Sequence, residues 1–116
     1  MSYDIAIIGT ADVILGFKAL GLKTFPVTGP EEVTPLLQKL VNETVAEAGA
    51  PEDTRPQYAV IFIIEDLAQT IPLDQYKKLS SKALPAIIPL PGPKGSTGFG
   101  EKRLKRLIVQ AVGTEI

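Results

Sequence analysis

Three acidic side chains, Asp12, Glu65 and Asp66, follow apolar runs of the chain and are the best placed for chemistry. If both runs are parallel strands, their carboxyl ends meet at one edge of a sheet, where clustered carboxylates could bind a divalent ion. A receiver-type phosphoacceptor site would also need acids directly after the first strand, an Asp ending a later strand and a downstream Lys. Here the first run ends in glycine and the later one in isoleucine. We therefore favour structural roles for the three acids, as caps and first-turn residues of helices.

Two glycine-containing turns match phosphate-binding loops only in part. Residues 9–12 (Gly-Thr-Ala-Asp) hold one glycine of the G-x-G-x-x-G pattern, and Asp12 puts negative charge where a phosphate would lie. Residues 92–100 are rich in glycine but lack the adjacent Lys-Ser/Thr pair of a P-loop. We predict a tight turn for the first stretch, a linker for the second, and no bound cofactor.

The amino-acid composition excludes several classes of function. The 116 residues contain no Cys and no His, which excludes thiol catalysis, thiolate zinc sites and imidazole chemistry. No apolar run is long enough to span a bilayer, so we expect no direct membrane insertion. The net charge of -1 divides into +3 from residue 94 onward and -4 before it. A basic tail could bind nucleic acid, but we favour a solvated helix that contacts a protein, and we expect no nucleic acid partner.

Strands and helices alternate along the chain. Residues 4–9 and 58–64 are continuous apolar runs, which predicts strands buried on both faces. Residues 23–27 and 84–91 contain prolines, which favours edge strands. Between them we predict a first helix ending near Gly21, a helix over 33–48 from its apolar spacing, an irregular loop over 49–56, and a helix broken at Pro72.

These elements predict an α/β fold: a small four-stranded, parallel, doubly wound sheet of the flavodoxin-like or receiver-like kind, in the order 2-1-3-4. We expect this sheet domain to cover residues 1–91. A glycine-rich hinge over 92–100 would then connect it to a C-terminal amphipathic helix over 101–113, whose apolar stripe includes Leu104, Leu107 and Ile108.

Several motifs carry a family resemblance over nearly the whole chain. They are the opening strand and turn at 5–12, the Gly-Phe-x-x-x-Gly helix at 16–21, the strand and acid at 60–65, the proline-rich strand at 85–91, and the ending from Gly98 to Gly113. The chain resembles the F subunit of the V-type and A-type rotary ATPases, in particular its bacterial members. It departs from the family pattern at Thr10, where an acid is usual, and in a longer loop at 49–57.

The resemblance implies a non-catalytic central-stalk subunit, cytoplasmic and peripheral to the membrane. Such a subunit binds the coiled-coil D subunit of the rotor and helps couple ATP hydrolysis or synthesis to ion translocation. The resemblance also implies a mobile terminal helix that can reach the catalytic head. We expect Asp12, Phe17, Leu20 and Glu65 to contribute to docking, and Leu104, Arg106, Leu107 and Ile108 to form the contact faces of the terminal helix. The alternative is a receiver-like signalling or ligand-binding module with no ATPase role.

Overall fold

A computed structural model describes residues 3–47 and 49–92 of the chain. Its main sheet has four parallel strands: β1 (Asp4–Gly9), β2 (Lys23–Pro26), β5 (Tyr58–Ile64) and β6 (Ala86–Leu90). Their order is β2-β1-β5-β6, which confirms the predicted order 2-1-3-4 of the core strands. The apolar strands β1 and β5 are interior, and the proline-containing strands β2 and β6 are the edges, as predicted.

Helix α1 (Ala11–Lys18) follows β1 directly. It ends with the N–H of Leu22 donating to the carbonyl of Phe17 and that of Gly21 donating to Lys18, the two bonds of a Schellman motif. Gly21 has a φ of 88°, so it occupies the left-handed position that the sequence assigned to a terminating glycine. Thr10 precedes the helix, but its side chain makes no capping hydrogen bond, and Asp12 lies in the first turn.

A 3₁₀ turn (Pro30–Glu32) leads into helix α2 (Val33–Asn42). The Glu32 carboxylate accepts hydrogen bonds from the backbone N–H and the hydroxyl of Thr28. The backbone N–H of Thr28 is the main reason that the pKa of Glu32 is lowered, because it stabilises the ionised form. This carboxylate therefore fixes the entry to α2 at neutral pH.

The helix predicted over 33–48 is wrong beyond Asn42, and so is the irregular loop predicted over 49–56. Strands β3 (Thr44–Glu47) and β4 (Ala50–Pro56) form an antiparallel hairpin separate from the main sheet. Thr44 and Val45 match a helical period but are β-branched, and cross-strand pairing with Pro56 and Arg55 decides the outcome. Gly49, with a φ of 81°, supplies the turn.

The segment after β5 forms two short helices, α3 (Glu65–Ala68) and α4 (Leu73–Leu79), with Pro72 at the break as predicted. The two faces of the sheet bury separate clusters. We call the first the α2 face, where Ala6, Ile8, Ile61, Ile63 and Ile87 pack with Leu37, Leu40 and Tyr76 of α2 and α4. We call the second the α1 face, where Ile7, Phe62, Ile64 and Leu90 pack with Ile14 of α1.

Candidate interaction surface

The turn between β1 and α1 is closed by tight packing. A Cβ atom added to Gly9 would lie 2.6 Å from Cγ2 of Ile14 and 2.7 Å from Cγ1 of Ile64. Both isoleucines are buried in the cluster on the α1 face. Gly9 is therefore explained by the close approach of α1 to the strand ends, whereas the sequence had predicted a tight turn there.

The three acids singled out in the sequence have different environments. Glu65, the first residue of α3, is only 1% exposed, whereas Asp12 and Asp66 lie at the surface. Within residues 3–47 and 49–92, no group of three or more His, Cys, Asp or Glu side chains is placed to hold a metal ion. Asp12, Glu65 and Asp66 thus do not form the metal-binding cluster that was considered at the carboxyl edge of the sheet.

The residues predicted to dock a partner fall into three groups. Asp12 and Leu20 are exposed on α1 and in the turn after it, and Leu20 retains 73% of its accessible surface. Phe17 is half-buried against the cluster on the α1 face, and Glu65 is buried, so neither presents its side chain fully to a partner. The remaining four predicted residues lie outside the described part of the chain: Leu104, Arg106, Leu107 and Ile108.

Sequence reasoning missed Leu15, which is 72% exposed. Because Val13, Ile14 and Phe17 form the inward stripe of α1, a leucine at position 15 lies on the other side of the helix. The sequence did contain a signal for this exposure, because Leu15 is an apolar residue outside the inward-facing stripe of α1. Gly16 beside it has nothing within 4 Å of an added Cβ, so the helix surface there is open. We call Leu15, Gly16, Ala19 and Leu20 the α1 patch.

The opposite end of the sheet carries the hairpin β3–β4. The Arg55 guanidinium lies 4.5 Å from the centre of the Tyr3 ring, and its Nε is 3.7 Å from Oε1 of Glu47. Gln57 donates from Nε2 to Oδ2 of Asp4 at 3.1 Å, which joins the end of the hairpin to the start of β1. These contacts attach the hairpin to the domain at the amino end of the sheet.

Tyr58, at the start of β5, is buried beside this junction, with its ring 6.2 Å from that of Phe25 in an edge-to-face arrangement. Burial raises the pKa of the Tyr58 phenol, and the negative charges of Asp4 and Glu43 raise it further. The folded state thus binds the phenolic proton more tightly than the unfolded state does. The resulting stability is complete below the usual tyrosine pKa of about 10 and is lost as pH rises through the folded value.

We expect Tyr58→Phe to remove this alkaline loss while keeping the buried ring. In urea unfolding at pH 8 and pH 11, the free energy of unfolding should fall more between the two pH values for the native chain than for the variant. Equal losses for both chains would show that Tyr58 does not contribute to the alkaline sensitivity.

No helix within residues 3–47 and 49–92 has the length and apolar character that spanning a bilayer requires.

The fold class is the doubly wound α/β domain, and it is shared with a solved structure. The F subunit of the V-type ATP synthase from Archaeoglobus fulgidus superposes with a TM-score of 0.59 at 18% identity, over 78% of this chain and 99% of that one. This likeness concerns the fold alone.

Sequence comparison defines the family. The family model described as "ATP synthase (F/14-kDa) subunit" matches residues 5–108. The F subunit of the V-type ATP synthase of Clostridium botulinum (strain Eklund 17B) is 33% identical over 116 residues, covering 100% of this chain and 99% of that protein. The F subunit of the A-type ATP synthase of Methanosphaera stadtmanae is 32% identical over 117 residues, covering 100% and 98%. The chain belongs to the family of ATP synthase F subunits, which confirms the resemblance seen in the sequence.

Proposed function

We propose that this chain is a non-catalytic central-stalk subunit of a V-type or A-type rotary ATPase. In that role it binds the coiled-coil D subunit of the rotor, called here the rotor partner, and helps couple ATP hydrolysis or synthesis to the translocation of protons or sodium ions. It works in the cytoplasm, peripheral to the membrane, as part of the ATPase complex. Membership of the family supports a place in such a complex, since relatives that match the full length of this chain are named as F subunits of V-type or A-type ATP synthases.

The observation that carries the contact with the rotor partner is the α1 patch. Leu15 and Leu20 leave about three quarters of their surface in water, at 72% and 73% exposure. Full burial of such a side chain is worth about 1.5–3 kcal/mol, so an unpartnered pair favours association. Gly16 and Ala19 lie between them and let another helix approach the α1 backbone closely. A long helical hairpin fits this narrow apolar surface.

The other residues expected to dock have roles that follow from their positions. Asp12, exposed in the first turn of α1, can contact the partner directly at the end of the patch. Phe17 and Glu65 act indirectly: Phe17 packs α1 against the sheet, and Glu65 is buried at the start of α3, so both position the surface that the partner contacts. In the assembled enzyme, Leu104, Arg106, Leu107 and Ile108 on a C-terminal helix would reach toward the catalytic head.

Co-elution with the rotor partner tests this function. Mixing the full chain with the D subunit of the same ATPase at micromolar concentration should give a stable one-to-one complex in size-exclusion chromatography. Separate elution of the two proteins at these concentrations would rule out the proposed stalk role. A receiver-like or ligand-binding module would instead show a raised melting temperature with a nucleotide, a divalent ion or an acyl phosphate, and no complex with the rotor partner.

A further inference from the structure

The two outer strands of the main sheet each have one edge with no neighbouring strand in the part of the chain that the structure describes. Strand β2 pairs only with β1, and strand β6 pairs only with β5. In a parallel ladder, successive residues direct their N–H and C=O groups alternately to the two sides of the strand. Every second residue of β2 and β6 therefore turns its backbone groups away from the sheet, where another strand could bind them.

On β2, a hydrogen bond shows which residues face outward. The N–H of Val27, directly after the strand, donates to the carbonyl of Gly9 at 2.9 Å, so the odd-numbered residues bond to β1. The outward positions are then Thr24, Pro26 and Thr28. Pro26 has no N–H, and the N–H of Thr28 donates to the carboxylate of Glu32. Thr24 is left as the one outward donor of these three positions.

On β6, a proline shows the same thing. Ile63 of β5 lies opposite Pro89 in the ladder. Because Pro89 has no N–H, the bonds between the two strands run through the residues on either side of it, and the outward positions are 87, 89 and 91. The last of these is Pro91, which directly follows the strand. Ile87 is left as the one outward donor of these three positions.

The composition of β6 explains why its free edge needs protection. Residues 83–93 carry no charged side chain, and the strand itself reads Ala-Ile-Ile-Pro-Leu. An apolar, uncharged strand with a free edge pairs readily with another chain, and proteins usually prevent such pairing with charged residues or prolines. Strand β2 begins with Lys23, whereas β6 has no charge that could serve this purpose. The edge of β6 therefore depends on its prolines.

Strand addition requires a series of donors and acceptors at alternate positions, and one N–H per edge cannot support such a ladder. We propose that outward-facing prolines close both free edges of the main sheet to strand addition, and that Pro89 and Pro91 keep two copies of this chain from joining edge to edge along β6. Partners then bind the domain through the side chains of its helices and loops. The proposal does not depend on the rotor partner, because it concerns this chain alone.

Restoring the missing donors tests the proposal. The test variant is Pro89→Val with Pro91→Val, which gives the edge of β6 three successive outward N–H groups in an apolar, uncharged segment. The control variant is Ile88→Val with Leu90→Val. It places two valines in the same strand but adds no N–H, because both of these positions already have one, directed toward β5.

We expect the native chain and the control variant to sediment as monomers in analytical ultracentrifugation up to about 100 µM, whereas the test variant should form dimers or larger oligomers whose share rises with concentration. Amide hydrogen exchange identifies the surface that joins the copies. In the associated test variant, the N–H groups of residues 87, 89 and 91 should exchange at least about tenfold more slowly than in its dilute monomer, because a second strand binds them.

A test variant that stays monomeric would overturn the proposal, and so would equal association of the control variant. Association without slower exchange at residues 87–91 would overturn it as well, because another surface would then join the copies. If the double variant does not fold, the single change Pro89→Val takes its place, since it still joins the outward donors of residues 87 and 89. Its control is Ile88→Val, and the same outcomes decide.

Discussion

Gly9→Ala should clearly destabilise the domain, although it adds only one methyl group. The new methyl group would lie 2.6 Å from Cγ2 of Ile14 and 2.7 Å from Cγ1 of Ile64, well inside van der Waals contact. Both neighbours are β-branched and buried, so their Cγ atoms can move only by an unfavourable χ1 rotation or a shift of the backbone. Overpacking of this kind costs about 1–3 kcal/mol, and a loss of about 2 kcal/mol lowers the melting temperature of a domain of this size by about 10 °C.

Gly16→Ala is the matched control for this prediction. The same methyl group at Gly16 meets nothing within 4 Å, and the position lies inside α1. Because alanine favours helix over glycine by roughly 0.5–1 kcal/mol, this variant should melt a few degrees higher than the native chain. Calorimetry of both variants should give shifts of opposite sign. A Gly9→Ala variant as stable as the native chain would contradict the tight packing of α1 on the strand ends.

The second large effect concerns binding. Leu15→Gln combined with Leu20→Gln should weaken the complex with the rotor partner by at least about 100-fold in the dissociation constant. Each leucine contributes about 1.5–3 kcal/mol when it is buried in an interface, and about 1.4 kcal/mol corresponds to a factor of ten. Since both side chains are more than 70% exposed in the isolated chain, their replacement should leave its melting temperature within a few degrees of the native value.

Leu73→Gln is the control for the α1 patch. Leu73 is also an exposed leucine, at 58%, but it lies on α4, which packs against the α2 face of the sheet. We expect this variant to bind the rotor partner with native affinity in calorimetric titration. Equal weakening by the control and by the double variant would show that the contact is not centred on α1.

The main sheet could be predicted because its signals are local. The apolar runs of β1 and β5 and the prolines in β2 and β6 each indicate a position in the sheet without reference to the rest of the chain. The signal that ends α1 is equally local, because the left-handed backbone conformation of Gly21 by itself favours glycine at that position.

The hairpin was not predictable in the same way. Thr44 and Val45 continue the apolar period of α2 and also suit a strand, so the spacing alone favoured a longer helix. What decides between them is pairing with residues 50–56, a contact between segments that a helical pattern does not report. Contacts of Arg55 with Glu47 and Tyr3 then hold the hairpin in place.

The candidate interaction surface was predicted only in part. Leu20 and Asp12 were predicted to contact a partner, and both are exposed. Glu65 was expected at a docking edge of the sheet, but α3 begins inside the domain and buries its side chain. Leu15 was missed because the prediction considered only the apolar residues that follow the inward helical spacing, and Leu15 lies off that spacing. Exposure of such a residue depends on the direction of its side chain relative to the sheet.

Hydrogen exchange of the full chain, alone and with the rotor partner, is the most direct test of the central claim that α1 presents the rotor-binding surface. We expect the backbone amides of residues 11–22 to exchange at least tenfold more slowly in the complex, because the partner covers the α1 patch, with little change in α4. Slower exchange in α4 with α1 unchanged would contradict the account, and so would an exchange pattern that the rotor partner does not alter.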